Sequence, residues 1–289
     1  MVESVDKRPQ FGNRFLVNEA DVFQHNAWDN VQWDAEQEAE AKRIVALTSE
    51  PKLKSDEFLA RENWDRFYTC HQNRFFKDRH WLFTEFPELN FTNLQEKKTV
   101  FEIGCGVGNT IIPILKYTTC DIFIYGCDFS EEALTVLRKT SDFDSERCNV
   151  FVLDASKEQW EVPFGENSID IIVLIFVLSA IQPKHYSHIA KQMYRYLKPG
   201  GLVLFRDYGR YDLAQLRFKA GKCLEDNFYC RGDGTHVYFF TEEEVKELFE
   251  KAGFIKGELH TDRRLQVNRD RLLKMYRVWI QAKYKKPLT

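Results

Sequence analysis

The segment Phe101-Glu-Ile-Gly-Cys-Gly-Val-Gly-Asn109 decides the fold of this chain. An apolar run of strand length leads into three glycines at alternate positions, Gly104, Gly106 and Gly108, and then into a helical pattern. Glycine allows the backbone to approach a ligand closely, and the amides at the start of a helix point towards that ligand. The segment therefore predicts a strand, a ligand-binding turn and a helix.

Downstream of this turn, apolar runs of strand length alternate with amphipathic helical patterns. The runs cover residues 100–103, 122–127, 150–153, 169–176 and 202–205, and the helical patterns cover residues 108–118, 130–140 and 183–197. Nearly continuous Val, Ile and Phe runs are typical of parallel strands that are covered by helices on both faces. The pattern predicts a doubly wound α/β core.

Two aspartates extend the candidate site beyond the glycine turn. Asp128 ends the second apolar run, 20 residues after Gly108, and Asp154 ends the third. At the carboxyl ends of adjacent strands, Asp128 would accept both hydroxyls of a ribose, and Asp154, with the backbone of Ala155, would meet an adenine amino group. The spacing GxGxG after the acidic Glu102 favours S-adenosylmethionine. A dehydrogenase would also use Asp128, but its fingerprint places the third glycine one residue later.

Aromatic residues mixed with basic ones form a second set of candidates. They occur in Asn63-Trp-Asp-Arg-Phe-Tyr68, in Arg74-Phe-Phe-Lys-Asp-Arg-His-Trp81 and in Phe205-Arg-Asp-Tyr208. Trp64 and Tyr68 are four residues apart and therefore share one helix face. Such a stripe is often plain core, yet the same mixture of residues stacks bases and neutralises phosphates.

The remaining segments predict accessory elements. A charged helix is predicted at residues 35–47 and another from Ser55, an aromatic hairpin at 227–240 around Gly232-Asp-Gly234, and an edge strand at 274–285. Thr241 and Glu244 form the sequence pattern of a capping box for a helix that reaches Ala252.

Composition excludes several classes of protein. The chain has 289 residues, of which 44% are hydrophobic and 29% charged, which is a globular composition. The longest apolar run, 169–181, is too short and too polar to span a bilayer, and the first ten residues carry no secretory pattern. Seven scattered cysteines predict reduced thiols and no metal site.

The charge distribution suggests a polyanionic partner. The net charge is −3, but residues 256–289 hold 10 Lys and Arg against 3 Asp and Glu. The C-terminal segment is therefore predicted to present a positive face that the whole-chain average hides.

Together these motifs resemble those of the eukaryotic tRNA N3-methylcytidine methyltransferases, which methylate cytidine 32 of the anticodon loop. The resemblance covers about residues 60–284 and rests on residues 102–108, 127–130, 174–180, 197–201, 205–208, 75–81 and 231–235. Residues 11–16 and 26–33 resemble the branch of the family that acts on threonine tRNAs.

The resemblance implies a fold and a division of the chain. The expected fold is a class I, Rossmann-like methyltransferase with a seven-stranded, mostly parallel sheet and helices on both faces. An RNA-binding subdomain would be assembled from N-terminal helices, an insertion and the C-terminal strand. The predicted segments are an N-terminal extension (1–55), an N-terminal helical segment (56–98), the core (99–211), an aromatic hairpin insertion (212–240) and the C-terminal part of the core with its basic tail (241–289).

The expected cofactor is S-adenosylmethionine. Its predicted binding residues are Trp64, Tyr68, Gly104, Gly106, Asp128, Phe129, Asp154, Ala155 and Ile175. The predicted RNA-binding residues are Phe76, Lys77, Arg79, His80, Trp81, Arg206, Tyr208 and Arg231. Because cytosine N3 keeps a lone pair at neutral pH, no strong general base is expected, and Asp207 and Asp78 are the predicted catalytic carboxylates that stabilise the cationic product.

Other functions stay open at this point. A small-molecule methyltransferase would use the same fold, and an RNA-binding adaptor without turnover is disfavoured by the intact Gly104, Gly106, Gly108, Asp128 and Asp154. The expected partners are the anticodon stem-loop of threonine tRNAs and an accessory protein or aminoacyl-tRNA synthetase. The expected state is a cytoplasmic monomer without membrane contact.

Overall fold

The structure is a computed structural model that describes residues 14–51, 58–72, 78, 79, 81–91 and 96–288. The predicted helix start at Ser55 and the predicted RNA-binding residues Phe76, Lys77 and His80 lie outside the described residues. Among the described residues, no helix combines the length and the apolar character needed to cross a bilayer.

The elements follow each other in a largely alternating order. They are β1 Ala27–Trp28, α1 Ala35–Thr48, α2 Phe58–His71, α3 Leu82–Glu85, β2 Lys98–Ile103, α4 Ile111–Tyr117, β3 Ile122–Asp128, α5 Glu131–Arg138, β4 Cys148–Val152, β5 Ile169–Ile175, α6 Tyr186–Tyr196, β6 Leu197–Tyr208, α7 Leu213–Leu216, β7 Cys223–Glu225, β8 Phe228–Cys230, β9 His236–Tyr238, α8 Glu242–Lys251, β10 Ile255–Asn268 and β11 Leu273–Lys285. The five predicted core strands coincide with β2 to β6, and the three predicted core helices with α4, α5 and α6.

The central sheet has the strand order β1-β10-β11-β6-β5-β2-β3-β4. Strands β2 to β6 run parallel, and β11 is antiparallel to both of its neighbours, β6 and β10. The sheet is therefore mostly parallel but has eight strands instead of the expected seven. The difference is β1, whose two residues are too few to produce a periodic pattern.

The prediction that residues 274–285 form an edge strand is wrong. Strand β11 pairs with β6 over Trp279–Lys285 and with β10 along its whole length. On one face of β11, Gln281 pairs with Arg206 and Lys283 pairs with Glu88 and Glu258. The polar positions of the alternating pattern therefore face other polar residues and not solvent, and the sequence of β11 alone does not reveal these partners.

Helices cover both faces of the sheet and bury two apolar cores. On one face, α6 and α8 pack with Ile189, Met193 and Phe249 against Phe101 and Phe205. On the other face, α3, α4 and α5 close the second core. The predicted capping box is confirmed, because Thr241 accepts from the Glu244 amide and Glu244 accepts from the Thr241 amide.

The hairpin of β10 and β11 projects beyond the sheet as an arm, here residues 263–278. Tyr208, the last residue of β6, is paired with Trp279, so the residues of β11 before Trp279 extend past the carboxyl end of β6. On one face of the arm, Leu265 and Val267 are covered by Val22 and Trp28 of the N-terminal segment. The arm thus overhangs the sheet edge at which open α/β sheets bind ligands.

The predicted aromatic hairpin is confirmed and is part of a small second sheet. Strands β7, β8 and β9 pair in that order, with the turn at residues 231–235 between β8 and β9. Tyr229, Val237 and Phe239 of this sheet pack against Tyr208. The insertion therefore closes one side of the site at the end of β6.

Candidate active site

The glycine turn after β2 has a backbone that only glycine adopts easily. Gly104, Gly106 and Gly108 have φ angles of +65°, +52° and +87°. A Cβ atom at Gly104 would lie 2.5 Å from Cγ2 of Val177. The turn is therefore both left-handed and tightly enclosed, and its backbone lies at the carboxyl end of β2, where open α/β sheets bind ligands.

Asp128 at the end of β3 holds this turn. Its Oδ2 atom accepts from the Gly106 amide at 2.9 Å, and its Oδ1 atom accepts from the Ser130 amide at 3.0 Å. Burial raises the pKa of Asp128 to about 6, although these two hydrogen bonds act in the opposite direction. The carboxylate is fixed at the position where a ribose is expected.

Helix α2 covers the turn from above. The buried Tyr68 places its hydroxyl against Gly106, and its ring stacks with Trp64 at a centroid distance of 5.8 Å. Arg61 donates to the Phe129 carbonyl at 2.7 Å, and the Ser130 hydroxyl donates to Asp65. The structure therefore brings the two predicted cofactor residues of α2 to the glycine turn.

Asp154 lies on the neighbouring strand end. The amide of Leu153 donates to the Asp128 carbonyl at 3.0 Å, which sets the two acidic positions side by side. The Asp154 carboxylate accepts from the Ser156 amide at 3.0 Å and from its hydroxyl at 2.6 Å. Ala155 is buried. Together with Ile175 at the end of β5, these residues complete one continuous edge.

Arg79 belongs to the floor of the turn, not to an outer RNA surface. Its guanidinium donates to the Thr110 hydroxyl at 2.8 Å and lies 3.6 Å from the Glu102 carboxylate. Burial lowers the pKa of Arg79 and raises the pKa of Glu102 to about 7. Arg79 is predicted to bind RNA, but its side chain does not face outwards towards a phosphate. The ion pair with Glu102 holds it beneath the turn.

The raised pKa of Glu102 predicts a pH-dependent stability. Between about pH 4.5 and about pH 7 the folded protein retains a proton that the unfolded chain releases, so the free energy of unfolding falls as the pH rises through this window. A glutamine at position 102 cannot titrate, so Glu102→Gln should lack this pH dependence. The free energy of unfolding of the variant minus that of the wild type should therefore increase from pH 5 to pH 8, by up to about 3 kcal/mol.

Urea unfolding of both proteins at pH 5 and pH 8 measures this difference. The exposed Glu146→Gln is the control for a carboxylate away from the site. An equal stability difference between Glu102→Gln and the wild type at both pH values would contradict the prediction.

Phe176 and Tyr208 form an aromatic pair beside the glycine turn. Their ring centroids are 5.1 Å apart, and the guanidinium carbons of Arg79 and Arg231 lie 5.9 Å and 5.5 Å from the Phe176 and Tyr208 rings, respectively. Phe176 has a φ of +57°, a left-handed conformation that is unusual for a bulky residue. Such strained backbone conformations cluster at functional sites. Sequence reasoning did not select Phe176, although its place directly after β5 was a usable signal.

The two predicted catalytic carboxylates occupy different environments. Asp207 is fully buried and accepts from the Ser179 amide at 2.9 Å and from the Tyr208 amide at 2.8 Å. Burial raises the pKa of Asp207 to about 6. Asp78 is exposed, and its carboxylate accepts from the Asn109 side chain at 3.4 Å. Only Asp78 is open to a ligand.

Arg206 is buried, so it does not lie on a phosphate-binding surface as predicted. Its guanidinium is sandwiched between Trp81 at 5.2 Å and Trp279 at 4.8 Å and pairs with Asp262 and Gln281. Asp262 and Gln281 are 56 and 75 residues away from Arg206 in the chain, so no local sequence pattern indicates them as its partners. Arg206 connects the predicted RNA residue Trp81 to β10 and β11 at the base of the arm.

The C-terminal segment neutralises much of its own positive charge. Arg264 pairs with Glu85, Arg277 with Asp212 at 2.8 Å and Lys283 with Glu88 at 2.8 Å. Lys286 donates to the carbonyl of Leu197 at 2.9 Å. The broad positive face predicted for this segment is therefore reduced. Its exposed basic residues lie mainly at the tip of the arm, at Arg269, Arg271 and Lys274.

The residues at the strand ends fit S-adenosylmethionine. The left-handed glycine turn allows its backbone to approach a ligand closely, Asp128 would accept from a ribose, and Asp154 with Ala155 would flank an adenine. A Cβ at Gly104 would collide with Val177 and one at Gly106 with Tyr68, so this close packing requires glycine at both positions. A family model described as a methyltransferase domain matches residues 75–256.

The chain is similar to several named proteins along nearly its whole length. A tRNA N(3)-methylcytidine methyltransferase of Drosophila melanogaster is 58% identical, with 96% of this chain and 88% of that protein covered. A tRNA N(3)-cytidine methyltransferase of Danio rerio is 50% identical, with 98% and 90% covered. A tRNA(Thr) (cytosine(32)-N(3))-methyltransferase of Saccharomyces cerevisiae is 44% identical over 96% of this chain and 46% of that protein.

Solved structures support the fold. A SAM-dependent methyltransferase from Anabaena variabilis aligns with a TM-score of 0.58 and 13% identity, over 83% of this chain and 99% of that chain. A putative methyltransferase of Haloferax volcanii aligns with a TM-score of 0.56 and 18% identity, over 79% and 97%. The expected class I methyltransferase fold and its cofactor, S-adenosylmethionine, are confirmed.

Proposed function

The chain belongs to the tRNA N3-cytidine methyltransferases, and we propose that it methylates N3 of cytidine 32 in the anticodon loop of threonine tRNAs. The observation that carries the proposal is the Phe176 and Tyr208 pair, which lies next to the cofactor turn and between two guanidinium groups. Such a pair suits one unpaired base that is turned out of a loop.

The chemistry demands alignment more than proton transfer. Bound S-adenosylmethionine supplies an electrophilic methyl group, and cytosine N3 supplies a lone pair that is already free at neutral pH. The protein therefore needs to hold the base in line with the methyl group and to exclude water. A base that is paired inside a helix hides N3, which is why an unpaired loop position is the substrate.

The cofactor is held by the strand ends and by α2. We assign the ribose to Asp128, the adenine side to Asp154 and Ala155, and the cover to Trp64 and Tyr68. Because Tyr68 packs directly on Gly106, it also shields the turn from water. The shared edge that Asp128, Leu153 and the glycine turn form at the strand ends supports these assignments.

The base is held by stacking on Tyr208 and Phe176. Arg231 lies over Tyr208, within reach of a phosphate of the same nucleotide. Arg231 also lowers the pKa of Asp207, the carboxylate directly before Tyr208, although burial outweighs this effect. Stacking on aromatic rings contributes about 1 to 3 kcal/mol per base, enough to keep a turned-out base in place.

The two carboxylates take different roles. Asp207 positions Tyr208 and the turn at Ser179 through its backbone hydrogen bonds, and it does not touch the substrate. Asp78 is the carboxylate that is open enough to face the positive charge that develops on the methylated base. This divides the predicted catalytic pair into one positioning residue and one candidate for charge stabilisation.

The proposed tRNA substrate also bears on the partners of the chain. We propose that the tRNA is bound by a monomer in the cytoplasm, with an accessory protein or synthetase that helps to present it. A small-molecule methyltransferase of the same fold would not need the basic arm tip or the arginine-flanked aromatic pair. Phosphate contacts release counterions, so binding of an RNA substrate weakens steeply with salt.

The deciding experiment is methyl transfer to tRNA from cells that lack the enzyme. With labelled S-adenosylmethionine and the full chain, nucleoside mass spectrometry should detect N3-methylcytidine in threonine tRNA, and the rate at subsaturating tRNA should fall at least tenfold between 50 and 200 mM salt. Cofactor binding without any methylated tRNA would contradict the proposed substrate. A salt-independent rate with a small-molecule acceptor would support the alternative.

A further inference from the structure

Helix α2 connects the cofactor turn to the aromatic insertion. Tyr68 of this helix places its hydroxyl against Gly106 of the cofactor turn. Five residues earlier in the same helix, Nδ2 of Asn63 donates to the Gly234 carbonyl at 3.0 Å. Gly234 belongs to the turn at residues 231–235, which joins β8 and β9. The helix that covers the cofactor turn therefore also contacts the insertion that closes the site at the end of β6.

The contact between Asn63 and Gly234 is close and depends on the glycine. Gly234 has a φ of +84°, and a Cβ atom there would lie 2.6 Å from Nδ2 of Asn63. The Asn63 side chain is half-buried. The amide of Asn63 therefore packs directly against the backbone of Gly234, and any side chain at position 234 would displace it.

The turn at residues 231–235 is braced internally and carries Arg231. The Arg231 amide donates to the Thr235 carbonyl at 2.8 Å, and the Gly234 amide donates to the Arg231 carbonyl at 3.1 Å. The Asp233 carboxylate accepts from the amide and from the hydroxyl of Thr235 at 2.9 Å and 2.7 Å. Because the Arg231 guanidinium lies 5.5 Å from the Tyr208 ring, these bonds connect Gly234 to the base platform.

A narrow apolar stripe attaches α2 to the core. Among the residues of α2 whose side chains the structure describes, 60–71, only Phe67 and Tyr68 are buried. They pack against Val107 and Ala133. Segments with few buried apolar contacts have a low local stability. A hydrogen bond or a ligand that contacts α2 therefore contributes noticeably to the order of this helix.

We infer that Asn63 is a positioning residue that couples the binding of the cofactor to the binding of the RNA. The inference rests on the proposed tRNA substrate, a phosphate of which Arg231 holds. RNA bound at Arg231 fixes the turn at residues 231–235, and through Asn63 the turn fixes α2, so that less order is lost when the cofactor binds. Linkage is reciprocal, and the cofactor strengthens RNA binding by the same factor.

Cofactor titration with and without RNA tests the coupling. The probe is S-adenosylhomocysteine, which lacks the methyl group and cannot react, and the RNA is unmodified threonine tRNA at saturation. With the wild-type full chain, tRNA should raise the affinity for S-adenosylhomocysteine about fivefold, at the lower end of typical couplings. In Asn63→Ala the coupling should fall below twofold, while the affinity for each ligand alone stays within about twofold.

Two further variants test the hydrogen bond itself. Asn63→Asp keeps the shape of the side chain but has no N–H to donate to the Gly234 carbonyl, so its coupling should also fall below about twofold. Gly234→Ala displaces the Asn63 amide and should have the same effect. With S-adenosylhomocysteine bound, the tRNA affinities of Asn63→Ala, Gly234→Ala and the double variant should agree within about twofold, since all three lose one shared contact.

Steady-state methylation gives a second readout. At saturating S-adenosylmethionine, Asn63→Ala should raise KM for tRNA about threefold and leave kcat within about twofold, because uniform binding of the substrate is what the variant loses. A purely structural role would also lower kcat or the cofactor affinity without tRNA. Asn149→Ala removes an exposed amide from β4 at the edge of the sheet and is the control with wild-type values.

The possible outcomes separate this inference from the proposed function. A wild-type protein that binds tRNA but has the same affinity for S-adenosylhomocysteine with and without it would overturn the coupling alone, as would an Asn63→Ala variant that keeps the wild-type coupling. A wild-type protein that binds the cofactor but no tRNA would refute both the proposed substrate and the coupling. Melting temperatures of the variants exclude unfolding as a cause.

Discussion

Gly106→Ala is expected to lower the affinity for S-adenosylmethionine about 100-fold, because left-handed strain costs about 1 to 2 kcal/mol and overpacking about 1 to 3 kcal/mol. Gly106 has a φ of +52°, and a Cβ atom there would lie 2.6 Å from the hydroxyl oxygen of Tyr68. Tyr68 is buried against Trp64 and Phe67 and cannot simply swing away. The turn must therefore open, which moves its amides and its hydrogen bond to Asp128.

A double-mutant cycle separates strain from crowding. In Tyr68→Phe the nearest ring atom to the new Cβ is Cζ, at 3.4 Å, so Gly106→Ala combined with Tyr68→Phe should recover part of the affinity. Isothermal titration with S-adenosylmethionine measures each variant. Gly165→Ala is the control, since a Cβ at Gly165 meets no atom within 4 Å. Purely additive losses would refute the proposed contact.

Tyr208→Ala is expected to lower kcat/KM for tRNA by about 10- to 100-fold while cofactor affinity stays within about twofold, because the loss is that of one stacking platform. Tyr208 contacts Phe176 and Phe239 and lies under Arg231, so its removal also frees these three side chains. Tyr208→Phe keeps the ring and should retain most of the activity.

The measurement pairs steady-state methylation of threonine tRNA with cofactor titration. Tyr117→Ala is the matched control, because Tyr117 is 57% exposed at the end of α4, away from the strand ends. If Tyr208→Ala reduced cofactor affinity and kcat/KM in parallel, Tyr208 would belong to the cofactor site and not to the base site.

The local parts of the fold were readable because their signals are local. The glycine turn, the strands β2 to β6 and the capping box at Thr241 each depend on residues within a few positions of one another. The same holds for Asp128 and Asp154, since a polar residue at the end of an apolar run marks a strand end. For these features the sequence pattern and the structure agree.

The predictions for Arg206 and for the positive C-terminal face failed for the same physical reason, because charged residues pair across segments that are distant in the chain. Arg206 is read as a surface residue from its neighbours Phe205 and Tyr208, but it is buried by Asp262 and Trp279 of two other strands. Likewise, part of the positive charge of the C-terminal segment is neutralised by ion pairs of Arg264 with Glu85 and of Arg277 with Asp212. A count of charges cannot show which of them face each other.

The sequence by itself determined the class of fold and the cofactor turn, because backbone freedom at glycine and apolar periodicity act over short distances. The kind of base chemistry was implied by the resemblance to a known family. Only the tertiary structure decided that Phe176 joins Tyr208, that Asp207 is buried and that the arm extends past the carboxyl end of β6. Those properties depend on strand register, which pairs Tyr208 with Trp279 across 71 residues of chain. Register is fixed by burial of whole faces, and no single segment contains that information.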